Sequence, residues 1–142
     1  MEFNHLGKSV NHPQTPEEAN LETFENQYKS RNYLIQFDCQ DFTSLCPVTG
    51  QPDFAKISIQ YIPNERCVET KSLKYYLHSY RNFKGFNEKI VNTILDEFIK
   101  VCKPRWIQIK GQFAARGGIV LTTTAEYPSM EVPSGRVERK EK

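Results

Sequence analysis

Long apolar runs are missing from this 142-residue chain. None approaches the ~20 residues that a membrane-spanning helix needs, and the first residues lack the apolar stretch of a secretory leader. One-signed charge is missing as well. Lys and Arg number 19 against 17 Asp and Glu, a net +2 without the electrostatic footprint of a direct nucleic-acid binder. Histidine is scarce, at three, and no CxxC pair occurs, so no metal site is expected. These absences predict a cytoplasmic protein that touches neither membrane nor nucleic acid. Without a secretory signal, the four cysteines (Cys39, Cys46, Cys67, Cys102) are expected to remain reduced.

What remains is an ordinary globular composition, 38% hydrophobic and 25% charged, at a length suited to one domain. Residues 1–29 are rich in Asn, Gln, Glu and Pro and read as an N-terminal arm, with a short helix expected around Pro16 to Phe24. Residues 128–142 carry Pro128, Pro133, Gly135 and a charged run, and read as a mobile tail. Between them, residues 30–127 are patterned. Tyr33, Ile35, Phe37 and Cys39 alternate with polar neighbours, as do Ala55, Ile57, Ile59 and Tyr61, predicting two strands. Leu73, Tyr76, Leu77 and Tyr80 recur at helical spacing, as do Ile90, Val91, Ile94, Leu95, Phe98 and Cys102 before Pro104. Ile107, Ile109 and Phe113 alternate again, and Gly117-Gly118 turns into a last β-rich run from Ile119 to Thr124. The order β-β-α-α-β-β predicts an α+β domain: a four-stranded antiparallel sheet with two helices on one face. The other face is expected to be partly apolar, and the edge strands invite association with further copies.

Four short stretches carry candidate chemistry. Phe42 to Phe54 (FTSLCPVTGQPDF) holds Cys46 and Asp53 in a loop restrained by Pro47, Gly50 and Pro52, just before a strand. That is either a thiol nucleophile beside a proton-handling carboxylate, or a packed loop cysteine beside a turn aspartate. In ETKSLKYYL, Lys71 and Lys74 share one helix side while Glu69, Thr70 and Ser72 lie at its N-terminus. This is a solvated lysine face with a cap, or a site for a phosphate-bearing ligand. In Phe86-Asn87-Glu88, Asn87 suits an N-cap and Glu88 the helix dipole, yet Glu88 could accept from a ligand's N–H groups with Phe86 stacking on its ring. Arg116-Gly117-Gly118 offers a guanidinium beside a turn, for a phosphate or for solvent. Cys39, Cys67 and Cys102 lie in apolar-patterned segments and read as inert core thiols.

Together and in this order, the FTSLCPxTGQPDF, ETKSLK, FxxFN-Glu88 and Arg-Gly-Gly strings resemble the QueF-type, NADPH-dependent 7-cyano-7-deazaguanine reductases of queuosine biosynthesis, in their short single-domain form. The resemblance covers about Tyr33 to Tyr127. It implies the tunnelling fold (T-fold), built of β-β-α-α-β-β units that assemble into oligomeric barrels with active sites at subunit interfaces. It also implies reduction of a nitrile to a primary amine. In that scheme Cys46 forms a covalent thioimide and Asp53 handles protons. Val68, Glu69, Thr70, Phe86, Asn87 and Glu88 contact the substrate, while Lys71, Lys74, Arg116 and Gly117 hold NADPH. One position departs from the family: Asn87 stands where a histidine is usual, and an amide cannot carry a proton near neutral pH. A deazaguanine-binding protein with impaired catalysis is therefore one alternative. A zinc-dependent purine or pterin enzyme of the same fold is another, and would need more histidines. Archaeal amidinotransferase relatives keep the Cys and Asp but lack the ETKSLK run, whose presence favours reduction.

Overall fold

The computed structural model describes residues 12–132. Six strands and two α-helices follow in the order β1 (Thr23–Glu25), β2 (Ile35–Leu45), β3 (Pro52–Ile62), β4 (Arg66–Val68), α1 (Thr70–His78), α2 (Asn87–Cys102), β5 (Trp106–Arg116) and β6 (Ile119–Tyr127), with a 3-10 turn over Ser79–Asn82. Strands β2-β3-β5-β6 form one antiparallel sheet in that spatial order, which matches the predicted β-β-α-α-β-β core.

The helix-facing side of the sheet is apolar because alternation puts Ile57, Ile59 and Tyr61 of β3 and Ile107, Ile109 and Phe113 of β5 there, all buried. The stripe Ile90, Val91, Ile94, Leu95 and Phe98 of α2 packs on them. Gly111 permits the approach: a Cβ there would come within 2.7 Å of Val91 Cγ2. The outer side is more polar than expected. Gln60 donates to Gln36 (2.9 Å) and Gln108 to Glu126 (2.9 Å), and large exposed apolar groups are confined to the Phe54–Val120 end.

Two short strands escaped the sequence reading. β1 pairs with β4, Thr23 opposite Val68, and Leu21 is buried in the core. The helix expected around Pro16 to Phe24 is therefore absent, replaced by a turn at 16–18 and strand β1. Three-residue strands are too short to show a period. Arg105 ties the following segment down, donating to the Lys29 and Arg31 carbonyls and the Asn32 side chain. Of the expected tail, 133–142 lie outside the described residues.

Candidate active site at the end of the sheet

Both neighbours of β3 carry one extra residue, and these two irregularities build the site. On β2, Cys39 opposes Ile57 but Phe42 opposes Ala55; on β5, Phe113 pairs with Leu121 but Arg116 with Ile119. A bulge advances the alternation by one residue and re-aims every side chain after it. Ahead of the bulge Ile35, Phe37 and Cys39 face the helices; beyond it Phe42 and Ser44 do, with Cys46 next in that series. Arg116 is turned the same way. Ser44, Cys46 and Arg116 thereby come to the face on which Asp53 lies, Ser44 directly opposite Asp53.

The segment read as a loop from Phe42 to Phe54 is thus mostly strand. Phe42–Leu45 belong to β2 and Pro52–Phe54 to β3, leaving a short turn at its tip. Cys46 N–H donates to Gln51 O (2.8 Å) and Gly50 N–H to Cys46 O (2.9 Å), with Gly50 at φ 71° closing the turn. The Thr49 hydroxyl and the Thr49 and Val48 N–H groups donate to the sulfur, and Arg116 adds a further hydrogen bond. Together they bring the thiol down to about 6. Gln51 N–H donates to Thr49 Oγ1 at 3.2 Å, which leaves the hydroxyl proton for sulfur. Two other thiols move oppositely: burial pushes Cys39 up and Cys102 up to about 12.

Asp53 is buried, with 9% of its side chain exposed, and its Oδ1 lies 3.1 Å from Arg116 Nε. The same guanidinium is the least of the groups that lower the Cys46 thiol. Arg116 therefore stands with the thiol and carboxylate, not in a cluster with Lys71 and Lys74. Ser44 is fully buried and its hydroxyl has no hydrogen-bond partner among the described residues. Thr49 and Ser44 were not singled out from the sequence. Their signal, one hydroxyl two residues before Cys46 and one three residues after it, is too common to stand out.

Leu45 N–H donates to Phe83 O (2.9 Å) and Gly85 N–H to Leu45 O (3.2 Å), a parallel bridge that brings the start of α2 beside the Cys46 turn. Phe86 is exposed there, and Glu88 lies exposed in the first turn of α2. The N-cap is Phe86 rather than Asn87, which occupies the first helical position; no side chain caps this end.

Val68, Glu69 and Thr70 lie elsewhere. Val68 N–H donates to Tyr61 OH (2.9 Å), eight residues along β3 from Asp53, roughly 26 Å at strand spacing. Val68 is buried. Glu69 is the N-cap of α1: its carboxylate accepts from Lys71 N–H (2.7 Å) and Ser72 N–H (2.8 Å), which lowers its pKa. Glu69→Ala is expected to lower the melting temperature by about 3–6 °C, the usual effect of losing one cap in a domain this size, and a circular-dichroism melt checks it. Lys71 and Lys74 are exposed on α1, and Lys74 lines a cavity of about 380 Å³ with Thr70, His78, Arg81 and the middle of β2. Among the described residues, no three of His, Cys, Asp and Glu are grouped to hold a metal ion, and no helix is long and apolar enough to cross a membrane.

A thiol of lowered pKa and a buried aspartate thus lie together at the open end of a helix-covered antiparallel sheet with the T-fold. The archaeosine synthase QueF-Like, solved in its apo form, has this fold (TM-score 0.63, 22% identity, 70% of this chain and 96% of that one). The chain belongs to the QueF-like family, whose model matches residues 52–131. That match takes in Asp53 and the later motifs but begins after Cys46. Relatives named NADPH-dependent 7-cyano-7-deazaguanine reductase include one from Streptococcus mutans, 49% identical over 107 residues, and one from Chloroherpeton thalassium, 53% identical over 107. A third, from Bacteroides thetaiotaomicron, is 46% identical over 122 residues. The alignment takes in 75% of this chain in the first two and 86% in the third. It spans 66% of the streptococcal relative's length, 92% of the Chloroherpeton one and 81% of the Bacteroides one.

Proposed function

We propose that this chain is an NADPH-dependent reductase that converts the nitrile of 7-cyano-7-deazaguanine to an aminomethyl group, a step toward queuosine in tRNA, in the cytoplasm. The single observation that carries the reading is the Cys46 thiol, held by its own turn at about 6 beside a buried Asp53, in a chain of this family. At neutral pH the sulfur is a thiolate able to add to a nitrile carbon.

The step balances with one proton from solvent. The Cys46 S–C bond forms, one C≡N π pair moves to nitrogen, and a proton drawn from solvent is handed to that nitrogen by way of Asp53, giving a thioimide. Glu88, exposed at the start of α2, accepts from the N–H edge of the purine-like ring, and Phe86 offers a stacking face. NADPH, when bound, supplies a hydride for each of the two reductions from nitrile to amine. Lys71 and Lys74 suit its phosphates, both being exposed one turn apart on α1, with Lys74, Thr70 and Arg81 along one cavity, and Gly117 leaves open space beside the site.

The distance of Val68 to Thr70 from Cys46 supports a site completed between copies. A substrate spanning a few ångströms cannot touch both ends of one sheet, so Val68, Glu69 and Thr70 would be offered to the Cys46 end of a neighbouring subunit. Homo-oligomerisation through the sheet edges fits this geometry.

Oxidation of NADPH, followed by its absorbance with and without 7-cyano-7-deazaguanine, tests the reading: consumption of two NADPH per nitrile is expected, and none would overturn it. Asn87→His is expected to raise the steady-state rate at least ~10-fold, a conservative share of general acid–base help. That gain should fade as pH passes the imidazole pKa of about 6.5. Equal rates at every pH would show Asn87 to be catalytically neutral.

A further inference from the structure

We propose that Arg116 is the positioning residue of the Cys46–Asp53 pair, one guanidinium anchoring the carboxylate on the face toward which the Cys46 end of β2 is turned, so that both face the same reacting atoms. The inference deepens the reading of Cys46 as nucleophile and rests on it. It departs from the cofactor role that the sequence motif implies for this arginine.

The local structure is built for this placement. Gly117 (φ 56°) and Gly118 (φ 81°) form a two-residue hairpin turn whose left-handed backbone suits glycine, and it fixes where β5 ends. The extra residue between Phe113 and Arg116 then directs Arg116 toward the face of Asp53 instead of the outer face that strict alternation would give it. Without the bulge, Ala115 would occupy that face. The carboxylate of Asp53, 9% exposed, needs a polar partner where it is buried, and Arg116 Nε at 3.1 Å supplies one. Arg116 itself keeps 44% of its side chain exposed, so it meets solvent and ligand on one side and the pair on the other. A planar guanidinium can serve two acceptors at once, which a lysine ammonium does with less geometric definition. The hydrogen bonds of the Cys46 turn do most of the work of ionising the thiol, and Arg116 adds to them. Its distinctive contribution is the shared orientation. The titratable groups on the surrounding elements are Asp53 on β3, Arg116 on β5, Lys84 on the segment that pairs with Leu45, and Glu88 in the first turn of α2.

The test compares Arg116→Met and Arg116→Lys with the unaltered protein in two assays that omit NADPH. The first is the rate of the covalent adduct with 7-cyano-7-deazaguanine, read by mass. Arg116→Met should slow it at least ~10-fold, since misplacement by an ångström costs up to about a hundredfold. Arg116→Lys should recover only part of the loss. The second is Cys46 alkylation by iodoacetamide against pH. Its midpoint, about 6 in the unaltered protein, should rise in Arg116→Met and stay near 6 in Arg116→Lys. A one-unit rise would slow alkylation at pH 6 roughly fivefold. Unchanged adduct rates in both variants, with only the KM for NADPH raised, would overturn the proposal and return Arg116 to the cofactor. Absence of adduct in the unaltered protein would defeat the proposed function instead. The alkylation midpoints would then decide, an unmoved midpoint in Arg116→Met overturning the positioning role.

Discussion

Cys46→Ala is expected to abolish nitrile reduction, with turnover falling by at least about four orders of magnitude, the scale on which removing a covalent nucleophile acts. No second thiol can replace it. Cys67 and Cys102 are buried, with Cys102 pushed up to about 12, and Cys39 is raised by burial at the middle of β2. Cys39→Ala should therefore leave turnover within a few-fold. The pH profile has a definite sign. A thiol whose pKa is depressed to about 6 is a thiolate above that pH and loses its nucleophilicity as pH falls through it. Adduct formation should accordingly be flat from pH 7 to 8 and drop below 6. Stopped-flow or quenched mass measurements across that range check it, and a midpoint near the ordinary thiol value would contradict the turn's role.

Asp53→Asn should reduce thioimide formation by about 10²–10⁴, the range of general acid–base assistance, with the fold retained because the amide matches the carboxylate in size. Alkylation of Cys46 separates this loss from any effect on the thiol. Removing the negative charge beside Arg116 removes a repulsion on the thiolate, so the alkylation midpoint should stay at about 6 or fall. Adduct loss together with a raised midpoint would mean that Asp53 acts by ionising the sulfur and not by carrying the proton.

The strands and helices of the core were legible because long alternating and helical runs bury whole faces, as in Ala55 to Tyr61 and Ile90 to Cys102. The site was legible as residue types and illegible as geometry. Strict alternation puts Arg116 on the outer face and breaks off at Gln40-Asp41, so Phe42 to Leu45 looked like loop. One extra residue on each of β2 and β5 removes both anomalies, but a bulge leaves no mark in composition. For Arg116 the Arg-Gly-Gly motif leaves a phosphate or solvent open and the resemblance implies the cofactor, and only the shifted phase brings it to Asp53. The Val68 to Thr70 segment carries the family motif yet stands roughly eight strand residues from Asp53, a separation that local patterns cannot express. Asn87 likewise reads as a cap, whereas the cap falls one residue earlier, at Phe86, and the helix starts at Asn87, just after the 83–85 segment that pairs with Leu45.

The most direct test of the account is to incubate the protein with 7-cyano-7-deazaguanine, leave out NADPH, and map the modified peptide by mass. The account predicts one equivalent of substrate mass on Cys46 of each chain that has a complete site, gained without loss of any substrate atom. An adduct on Cys39, Cys67 or Cys102, or no adduct under conditions where the protein oxidises NADPH with this substrate, would contradict it.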